Sequence, residues 1–350
     1  MKLSVCYIVR NEAKVLERSL KSILAVADEI IVVDTGSTDE TKAIALRYTA
    51  NVFDFAWADD FSLARNVSFA HATGNYVMWM DADDVLFPQD AQILCKAKGR
   101  LGAADVWMLP YRLQRNGKTE TEFLRERILK NDGTFVWQGV VHEVIVPHGK
   151  VCCLKAAVSH CKEEAPYSTR NLHLYEKALQ KQPLNARDTF YYARELYFHG
   201  YYETALERFQ AFLRSDGWVE NKIQACLDSY RCYLALGREE EALSALCYAF
   251  ALDVPHAEVC CALGYHFQAR AQYRASNEWF LRATRCSKKH ERGAFVSPQC
   301  YDYLPWLEMC VNYARLGDVL RAKRCNDRAL KANPTSAAAL GNKRILEELR

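Results

Sequence analysis

The stretch Asn75-Tyr-Val-Met-Trp-Met-Asp-Ala-Asp-Asp84 decides how the first half of this sequence is interpreted. Its first six residues predict a buried β-strand, and the carboxylates Asp81, Asp83 and Asp84 follow that strand directly. Charged groups are rarely found beside a buried apolar run unless something neutralises them. At the carboxyl end of a strand in an α/β sheet, a ligand-bound cation is the usual neutralising group. The stretch therefore predicts a metal and phosphate site at a sheet edge.

The composition is that of an ordinary globular protein with roughly two or three domains. Of the 350 residues, 50% are apolar and 25% are charged, and the formal net charge is +3. That charge is too small to indicate nucleic acid or an anionic membrane as the main partner. No apolar stretch approaches the length of a membrane-spanning helix, and residues 1–10 resemble a first strand more than a signal peptide. We therefore expect a cytoplasmic protein without an integral membrane segment.

The first half alternates predicted strands and helices. The predicted strands are 3–9, 29–33, 51–55, 75–80, 106–112, 135–136, 140–146 and 151–159, and the predicted helices are 12–27, 41–48, 61–72 and 89–101. A capping box, Ser37-Thr-Asp-Glu40, is predicted to start the second helix. Repeated strand–helix–strand units indicate a mostly parallel α/β sheet covered on both faces.

The second half, from about residue 168, is predicted to be nearly all helical and internally repetitive. Four copies of one pattern align on small residues, and a turn glycine stands five residues before three of them. The small positions are Ala205, Ala242, Ser276 and Ala322, and the turn positions are Gly200, Gly237, Ala271 and Gly317. Small residues let two antiparallel helices approach closely, so each copy is predicted to be a helical hairpin. An insertion is predicted at 288–304, and a starting cap helix at 168–183.

Polar residues follow several predicted strands of the first half at the point where each strand ends. The carboxyl ends of parallel strands meet at one edge of a sheet, where open α/β folds bind ligands. Asp34 is a short acceptor suited to a base imide or a ribose hydroxyl, and the turn at Gly36 and Ser37 exposes backbone N–H groups. Arg65 is suited to a phosphate, whereas Asp81 and Asp83 supply hard oxygens for Mg²⁺ or Mn²⁺.

These residues resemble a known family when they are taken in order. The blocks are Ile-Val-Arg-Asn-Glu12, Val-Val-Asp-Thr-Gly-Ser-Thr-Asp39, Asp-Asp-Phe-Ser-Leu-Ala-Arg-Asn66 and Met-Asp-Ala-Asp-Asp84. Together they resemble a family 2 glycosyltransferase with the GT-A fold. The helical copies resemble tetratricopeptide repeats. The combination is similar to the bacterial peptide S-glycosyltransferases of glycocin type. We therefore predict a GT-A domain at 1–165, a linker and cap helix at 166–187, and tetratricopeptide-like repeats at 188–350.

The resemblance implies a nucleotide-sugar donor, usually a UDP-sugar, and inversion of the anomeric centre. It implies that Asp34 contacts uridine, that Asp81 approaches the ribose and the metal, and that Asp83 is the main metal ligand. His160 is either a third metal ligand or a structural residue. The full set of expected donor contacts is Val9, Arg10, Asn11, Glu12, Asp34, Gly36, Ser37, Asp60, Arg65, Asn66, Asp81 and Ala82. Glu12, Asp60 and Asp84 have a helix cap as an alternative role.

The catalytic base is predicted in the segment Trp137-Gln-Gly-Val-Val-His-Glu143. Inversion needs one direct displacement, so a base must take the proton of the acceptor as the new bond forms. Glu143 is the first choice and His142 the second, and either residue could instead orient the acceptor.

The repeats favour a peptide or protein acceptor, because helical-repeat arrays offer extended binding surfaces. A Cys, Ser or Thr side chain is the expected acceptor, and a homodimer formed through the repeats is a further expectation. One alternative is transfer to a surface polysaccharide or a lipid-linked glycan. An alternative of another class is a non-catalytic scaffold whose repeats bind a partner.

Overall fold

The computed structural model describes residues 1–115, 118–161, 168–287 and 296–348. The chain divides into two compact units, Met1–Pro183 and Leu184–Arg350. The predicted limit at 165/166 falls outside the described residues, so the predicted domain limits and the linker at 166–187 stay predictions. Among the residues that are described, no helix is long and apolar enough to cross a membrane.

A nine-stranded mixed sheet forms the centre of the first unit, in the order β3-β2-β1-β4-β7-β6-β11-β5 with β10 beside β6. The strands are β1 (Leu3–Val9), β2 (Glu29–Asp34), β3 (Val52–Asp54), β4 (Tyr76–Met80), β5 (Asp84–Val85), β6 (Val106–Arg115), β7 (Lys118–Lys130), β8 (Trp137–Gln138), β9 (Val144–Ile145), β10 (Val151–Cys153) and β11 (Val158–His160). β8 and β9 form a separate antiparallel pair. Strands β3, β2, β1 and β4 run parallel, whereas β7 is antiparallel to β4 and β6. The predicted mostly parallel sheet is confirmed, with antiparallel pairings at β7 and β5.

Helices pack on the sheet because β1 sends alternate side chains to opposite faces. The helices of this unit are α1 (Leu16–Ile23), α2 (Thr41–Leu46), α3 (Phe61–Ala70), α4 (Pro88–Ala97), a 3-10 helix (Lys98–Ala103) and α5 (Arg170–Lys181). Val5 and Tyr7 join one buried cluster with Leu16 and Leu20 of α1. Cys6 joins a second cluster, against which Phe69 of α3 packs. The apolar spacing of the first helix thus has the predicted role, although α1 is shorter than 12–27.

The register of the central strands aligns their carboxyl ends. Val9 of β1 lies opposite Asp34 of β2, and Tyr7 lies opposite Met80 of β4. Asp34 and the acidic stretch that follows Met80 therefore reach the same edge of the sheet, as the strand pattern predicts.

Strand β7 is absent from the sequence-based prediction, and this omission matters for the site. β7 lies between β4 and β6, and its residue Arg127 is fully buried. Three consecutive charged residues, Arg125-Glu-Arg127, interrupt the apolar residues of β7 and give no periodic strand signal. Burial of Arg is rare without specific partners, so the sequence alone does not indicate a buried guanidinium here.

The predicted capping box at 37–40 is wrong. α2 begins at Thr41, whose backbone N–H and hydroxyl both donate to Oδ1 of Asp39. The hydroxyl oxygen of Ser37 instead accepts from the backbone N–H of Asn11, in the loop after β1. A tertiary contact has replaced the local cap.

The described part of the second unit contains nine α-helices, eight of which pair as neighbours. They are α6 (Ala186–Phe198) with α7 (Tyr202–Leu213), α8 (Val219–Ala235) with α9 (Glu239–Leu252), α10 (Ala257–Ala269) with α11 (Tyr273–Ala283), α12 (Tyr303–Arg315) with α13 (Val319–Ala332), and finally α14 (Ala337–Glu348). The aligned small residues Ala205, Ala242, Ser276 and Ala322 are all fully buried, which confirms the helical hairpins.

The turn of each hairpin has the same backbone conformation. Gly200, Gly237 and Gly317 have φ values of 80°, 70° and 77°, and Ala271 has the same left-handed conformation at 55°. Of the predicted insertion at 288–304, residues 288–295 lie outside the described part, and Pro298–Cys300 form a 3-10 helix. The predicted cap helix is present as α5, but it belongs to the first unit, where the hydroxyl of Tyr175 donates to the carbonyl of Val141.

Candidate active site

Asp34 forms the first part of the candidate site. Its side chain is buried, and Oδ1 accepts from the backbone N–H groups of Gly36 at 2.8 Å and Ser37 at 2.7 Å. Gly36 has φ +102°, a conformation that L side chains rarely adopt. The second oxygen, Oδ2, is buried and has no hydrogen-bond partner in the described structure. An unsatisfied buried acceptor is costly, so Asp34 is suited to receive a hydrogen bond from a ligand.

The loops that follow β1 and β2 support each other. The backbone N–H of Asn11 donates to Oγ of Ser37 at 3.0 Å, and Oδ1 of Asn11 accepts from the backbone N–H of Thr38 at 2.8 Å. Asn11 has φ +54°, which Asn tolerates better than most residues. Val9 is buried at the end of β1, and Arg10 is exposed. The predicted donor contacts Asn11 and Ser37 therefore shape the loops around Asp34.

Glu12 lies in the same loop, half-buried and near the acidic stretch. Burial, together with the charge of Asp83, raises the pKa of Glu12 from 4.5 to about 7. The cap alternative for this side chain is not seen, because α1 begins at Leu16 without a side-chain cap.

The acidic stretch after β4 meets His160, because β5 and β11 pair with Asp84 opposite His160. Nδ1 of His160 lies 3.2 Å from Oδ1 of Asp83 and 3.0 Å from Oδ1 of Asp84. Ligand atoms of Asp81, Asp84 and His160 all lie within 4.8 Å of one another. Burial works to lower the pKa of His160, but its hydrogen bonds to Asp83 and Asp84 raise it from 6.5 to about 10. The imidazole is therefore hydrogen-bonded to the acidic cluster, the name used below for Asp81, Asp83 and Asp84.

The three carboxylates of this cluster have different surroundings. The side chains of Asp81 and Asp83 are 29% and 21% exposed, whereas Asp84 is fully buried. Burial works to raise the pKa of Asp81, but Arg65 and Arg127 outweigh it and lower that pKa from 3.8 to about 2. Asp81 and Asp83 thus present accessible carboxylate oxygens, and Ala82 between them is buried. Asp84 is not a helix cap, because it lies in β5.

Arg65 of α3 joins this cluster to the predicted base. Its Nη2 lies 2.7 Å from Oδ1 of Asp81, and its Nε lies 2.5 Å from Oε1 of Glu143. The guanidinium is nearly buried and lies 4.8 Å from the ring centre of Trp137 and 5.2 Å from that of Trp79. Burial opposes its charge, but Asp81 and Glu143 raise the pKa of Arg65 further. Arg65, which was predicted to bind a phosphate, is therefore paired with two carboxylates.

The segment that carries Glu143 is anchored by backbone hydrogen bonds. Asn66 of α3 accepts from the backbone N–H of Trp137 at 2.8 Å and donates to its carbonyl at 3.1 Å. The backbone N–H of Phe61 donates to the carbonyl of Val140. His142 has φ +54° and is exposed, whereas the Glu143 side chain is only 10% exposed. Asn66 therefore supports the segment that carries Glu143.

Asp60 has the cap role that was weighed for it. Its Oδ1 accepts from the backbone N–H groups of Ser62 at 2.8 Å and Leu63 at 3.3 Å at the start of α3. Asp60 thereby fixes the helix that presents Arg65 and Asn66.

Sequence reasoning missed a group of residues behind the acidic cluster: Trp79, Tyr111, Asp84 as a partner, and Arg127. Nη1 of Arg127 lies 2.9 Å from Oδ2 of Asp84, and the Tyr111 hydroxyl donates to Oδ1 of Asp84 at 3.0 Å. The sequence around Arg127 has no alternation with a period of two, so only the pairing of β7 with β4 and β6 reveals this group.

Comparison with known proteins agrees with this geometry. Residues 4–153 match the family described as Glycosyl transferase family 2. The chain is 50% identical over 84 residues to a TPR repeat-containing protein of Synechococcus elongatus, covering 24% of this chain and 21% of that protein. It is 27% identical over 213 residues to the SPbeta prophage-derived glycosyltransferase SunS of Bacillus subtilis, covering 54% of this chain and 48% of SunS.

The chain spans about half the length of SunS and about a fifth of the Synechococcus protein. Among solved structures, S. aureus TarS in complex with UDP-GlcNAc aligns over 96% of this chain and 93% of that one, with 16% identity and a TM-score of 0.39. Residues 4–153, which include Asp34, Asp81, Asp83 and Glu143, thus match glycosyl transferase family 2 and form most of a mixed α/β sheet, whereas the helical hairpins of the second unit lie outside that match.

Proposed function

We propose that this chain is an inverting, metal-dependent glycosyltransferase that moves a sugar from a UDP-sugar to a polypeptide side chain. The observation that carries the proposal is the meeting, at one sheet edge, of Asp34, the acidic cluster and Glu143. Asp34 offers an unpartnered buried oxygen, and Arg65 connects Asp81 to Glu143. A donor subsite, an acidic subsite and a base therefore occur together.

For the donor, Asp34 is the proposed uridine contact. Its Oδ2 needs a hydrogen-bond donor, and a pyrimidine imide N–H or a ribose hydroxyl supplies one. The supporting loops at Asn11 and Ser37 hold that oxygen in place without occupying it.

For the cation, Asp81, Asp83 and His160 are the proposed ligands of Mg²⁺ or Mn²⁺. The donor set fits, because ligand atoms of Asp81 and His160 lie within 4.8 Å of each other, Oδ1 of Asp83 lies 3.2 Å from Nδ1 of His160, and carboxylate oxygen suits these hard ions. When bound, such an ion stabilises the negative charge of a leaving diphosphate.

For the chemistry, Glu143 is the proposed base and His142 the alternative. The acceptor thiol or hydroxyl attacks the anomeric carbon, its proton passes to Oε of Glu143, and the bond from that carbon to the diphosphate oxygen breaks. One displacement inverts the anomeric centre and releases the nucleoside diphosphate. Arg65 keeps the carboxylate of Glu143 oriented until the acceptor arrives.

For the acceptor, a Cys, Ser or Thr side chain of a peptide or protein is proposed. Helical repeats of this type supply surfaces that suit an extended polypeptide. Cytoplasmic location and pairing of two copies through the repeats belong to the same proposal. Light scattering of the purified chain tests the pairing.

The first experiment separates an enzyme from a scaffold. Wild-type protein is incubated with UDP-sugars and Mn²⁺, and released UDP is measured with and without a chelator. We expect turnover that the chelator abolishes and that Asp83→Ala lowers by at least 100-fold. Wild-type protein that neither binds nor consumes any UDP-sugar would favour the non-catalytic scaffold.

The second experiment identifies the acceptor and the base. Peptides containing Cys, Ser or Thr are incubated with donor and enzyme, and products are weighed by mass spectrometry beside polysaccharide and lipid-linked acceptors. A mass gain confined to the glycan acceptors would contradict the peptide proposal. Glu143→Gln should lower the rate of sugar transfer roughly 10²–10⁴-fold, whereas binding of the donor should persist. His142→Gln should retain most transfer; the reverse result would make His142 the base.

A further inference from the structure

A fully buried ion pair lies directly behind the acidic cluster. The side chains of Asp84 and Arg127 are both 0% exposed, and Nη1 of Arg127 lies 2.9 Å from Oδ2 of Asp84. The same Nη1 donates to the carbonyl of Trp79 at 3.0 Å, two residues before Asp81. Two charges enclosed in this way are stable only when their geometry and their remaining hydrogen bonds are well satisfied. The pair therefore depends on the specific contacts that surround it at this site.

Both oxygens of Asp84 are occupied by protein groups. Oδ1 accepts from the hydroxyl of Tyr111 at 3.0 Å and lies 3.0 Å from Nδ1 of His160. Oδ2 accepts from the backbone N–H of Asp81 at 3.1 Å and pairs with Arg127. Although Asp84 lies close enough to Asp81 and His160 to count as a ligand by distance, its oxygens have no accessible side from which an ion could approach.

Arg127 is held by more than Asp84. Its guanidinium carbon lies 3.4 Å from the ring centre of Trp79 and 4.3 Å from that of Tyr111. A planar guanidinium that contacts two aromatic rings has few alternative orientations. Its Nε and Nη2 have no hydrogen-bond partner among the described residues. The positive charge of the guanidinium is therefore stabilised mainly by Asp84 and by the two aromatic rings. Asp84 thus has a fixed cation behind it.

We propose that Asp84 and Arg127 are positioning residues for the divalent cation of the proposed glycosyltransferase, and that Asp84 is not a ligand. The pair orients two of the proposed ligands at once: it holds the backbone of Asp81 and the imidazole of His160. This inference rests on the proposed function. It predicts that breaking the pair weakens cation binding more than it slows the reaction at saturating cation.

The test measures Mn²⁺ binding by calorimetry in the presence of UDP, together with thermal unfolding. The variants are Asp84→Asn, Arg127→Met, the double variant, and Tyr111→Phe, which removes only one hydroxyl. We expect the two charge variants to weaken Mn²⁺ at least 10-fold and Tyr111→Phe to weaken it about 3-fold. In turnover assays the concentration of Mn²⁺ at half-maximal rate should rise more than the saturated rate falls.

The double variant separates positioning from simple stability. Removing both charges should restore part of the unfolding temperature that either single change removes, since no unpaired buried charge remains. Mn²⁺ affinity should stay low in the double variant, because the orientation of Asp81 and His160 is still lost. Recovery of Mn²⁺ affinity together with the unfolding temperature would overturn the proposal.

A control variant and a conservative variant complete the design. Asp228→Asn changes another fully buried carboxylate, which pairs with Arg194 and Arg231 in the second unit, and should lower stability without changing Mn²⁺ affinity. Arg127→Lys keeps the charge and should bind Mn²⁺ more tightly than Arg127→Met. If Arg127→Met fails to fold, Arg127→Lys is compared with the wild-type protein instead.

Two results distinguish the possible failures. If Asp84 is a ligand, Asp84→Asn abolishes Mn²⁺ binding while Arg127→Met, which frees the carboxylate, leaves it unchanged or tighter. If wild-type protein binds neither Mn²⁺ nor UDP, the proposed function itself has failed. Wild-type binding combined with unaltered affinity in all four variants would refute the positioning role alone.

Discussion

Arg65 and Glu143 form an ion pair at 2.5 Å across 78 residues of sequence, and both side chains are at most 10% exposed. The same guanidinium holds Asp81 at 2.7 Å. One cation from α3 therefore bridges the acidic stretch after β4 and the predicted base before β9. This arrangement ties the geometry of the base to that of the acidic cluster.

Replacing Arg65 with Met should damage both stability and activity. The change leaves Asp81 and Glu143 without their shared cation, and breaking a buried pair from one side costs about 3–5 kcal/mol. Arg65→Lys should keep some stability but lose turnover, because an ammonium cannot hold two carboxylates in the fork geometry. Urea denaturation and UDP release measure the two effects.

The control for this prediction is Arg238→Met in the second unit. Arg238 pairs with Glu241 at 3.0 Å, and both side chains are 48% exposed. Exposed pairs contribute at most about 1 kcal/mol, so this change should be nearly silent. Equal losses in Arg65→Met and Arg238→Met would contradict a special role for Arg65.

Replacing Asp34 with Asn should weaken UDP binding while keeping the loop. The amide oxygen of Asn can still accept from the N–H groups of Gly36 and Ser37, which hold Oδ1 in the native protein. The unpartnered Oδ2 becomes an NH₂ group, which repels a donor. A lost hydrogen bond to a charged group is worth about 1.5–3 kcal/mol, so UDP affinity should fall roughly 10-fold or more. Calorimetry with UDP measures this, and unchanged affinity would exclude Asp34 from the donor subsite.

Glu12 should make the metal-free protein less stable as pH rises. Burial and Asp83 raise its folded pKa from 4.5 to about 7, so between these values the folded state binds more protons than the unfolded state. Stability should therefore fall between pH 4.5 and about 7. Allowing for partial exposure, Glu12→Gln should remove about 1 kcal/mol of that decline. Unfolding of both proteins is compared across this range with a chelator present, and parallel pH profiles would contradict the assignment.

Ala271 should be a mildly strained residue of the repeats. It has φ +55°, where the other three copies have glycine at φ 70° to 80°. Ala271→Gly should stabilise the protein by about 0.5 kcal/mol, because relief of the left-handed strain exceeds the added entropy of the unfolded chain. The matched reverse change, Gly237→Ala, should destabilise the protein by about 1 kcal/mol, because an alanine there is strained by the positive φ. No steric clash adds to this cost, since nothing lies within 4 Å of a Cβ at that position. Denaturation midpoints measure both, and a loss of stability in Ala271→Gly would show that the turn is unstrained.

Much of the fold could be predicted because its signals are local. β1 was predicted with its observed limits, and α3 and β4 within one or two residues, from apolar spacing alone. The hairpins of the second unit followed from the spacing of the small residues, which let two helices approach in every copy, and from the turn glycines of three copies. The capping box failed for the opposite reason, since Asn11, 26 residues away, took the hydroxyl of Ser37.

The groups that reach the sheet edge can be read from the amino-acid sequence: a strand ends at Asp34, another is followed by Asp81 and Asp83, and parallel strands align their ends. The contacts that those groups make with distant segments are visible only in the folded chain. Arg65 pairs with two carboxylates, Asn66 supports the segment that carries the predicted base, and Asp84 pairs with the buried Arg127. Sequence spacing specifies local periodicity and strand order, whereas the partner of a buried charge depends on which distant strand lies beside it.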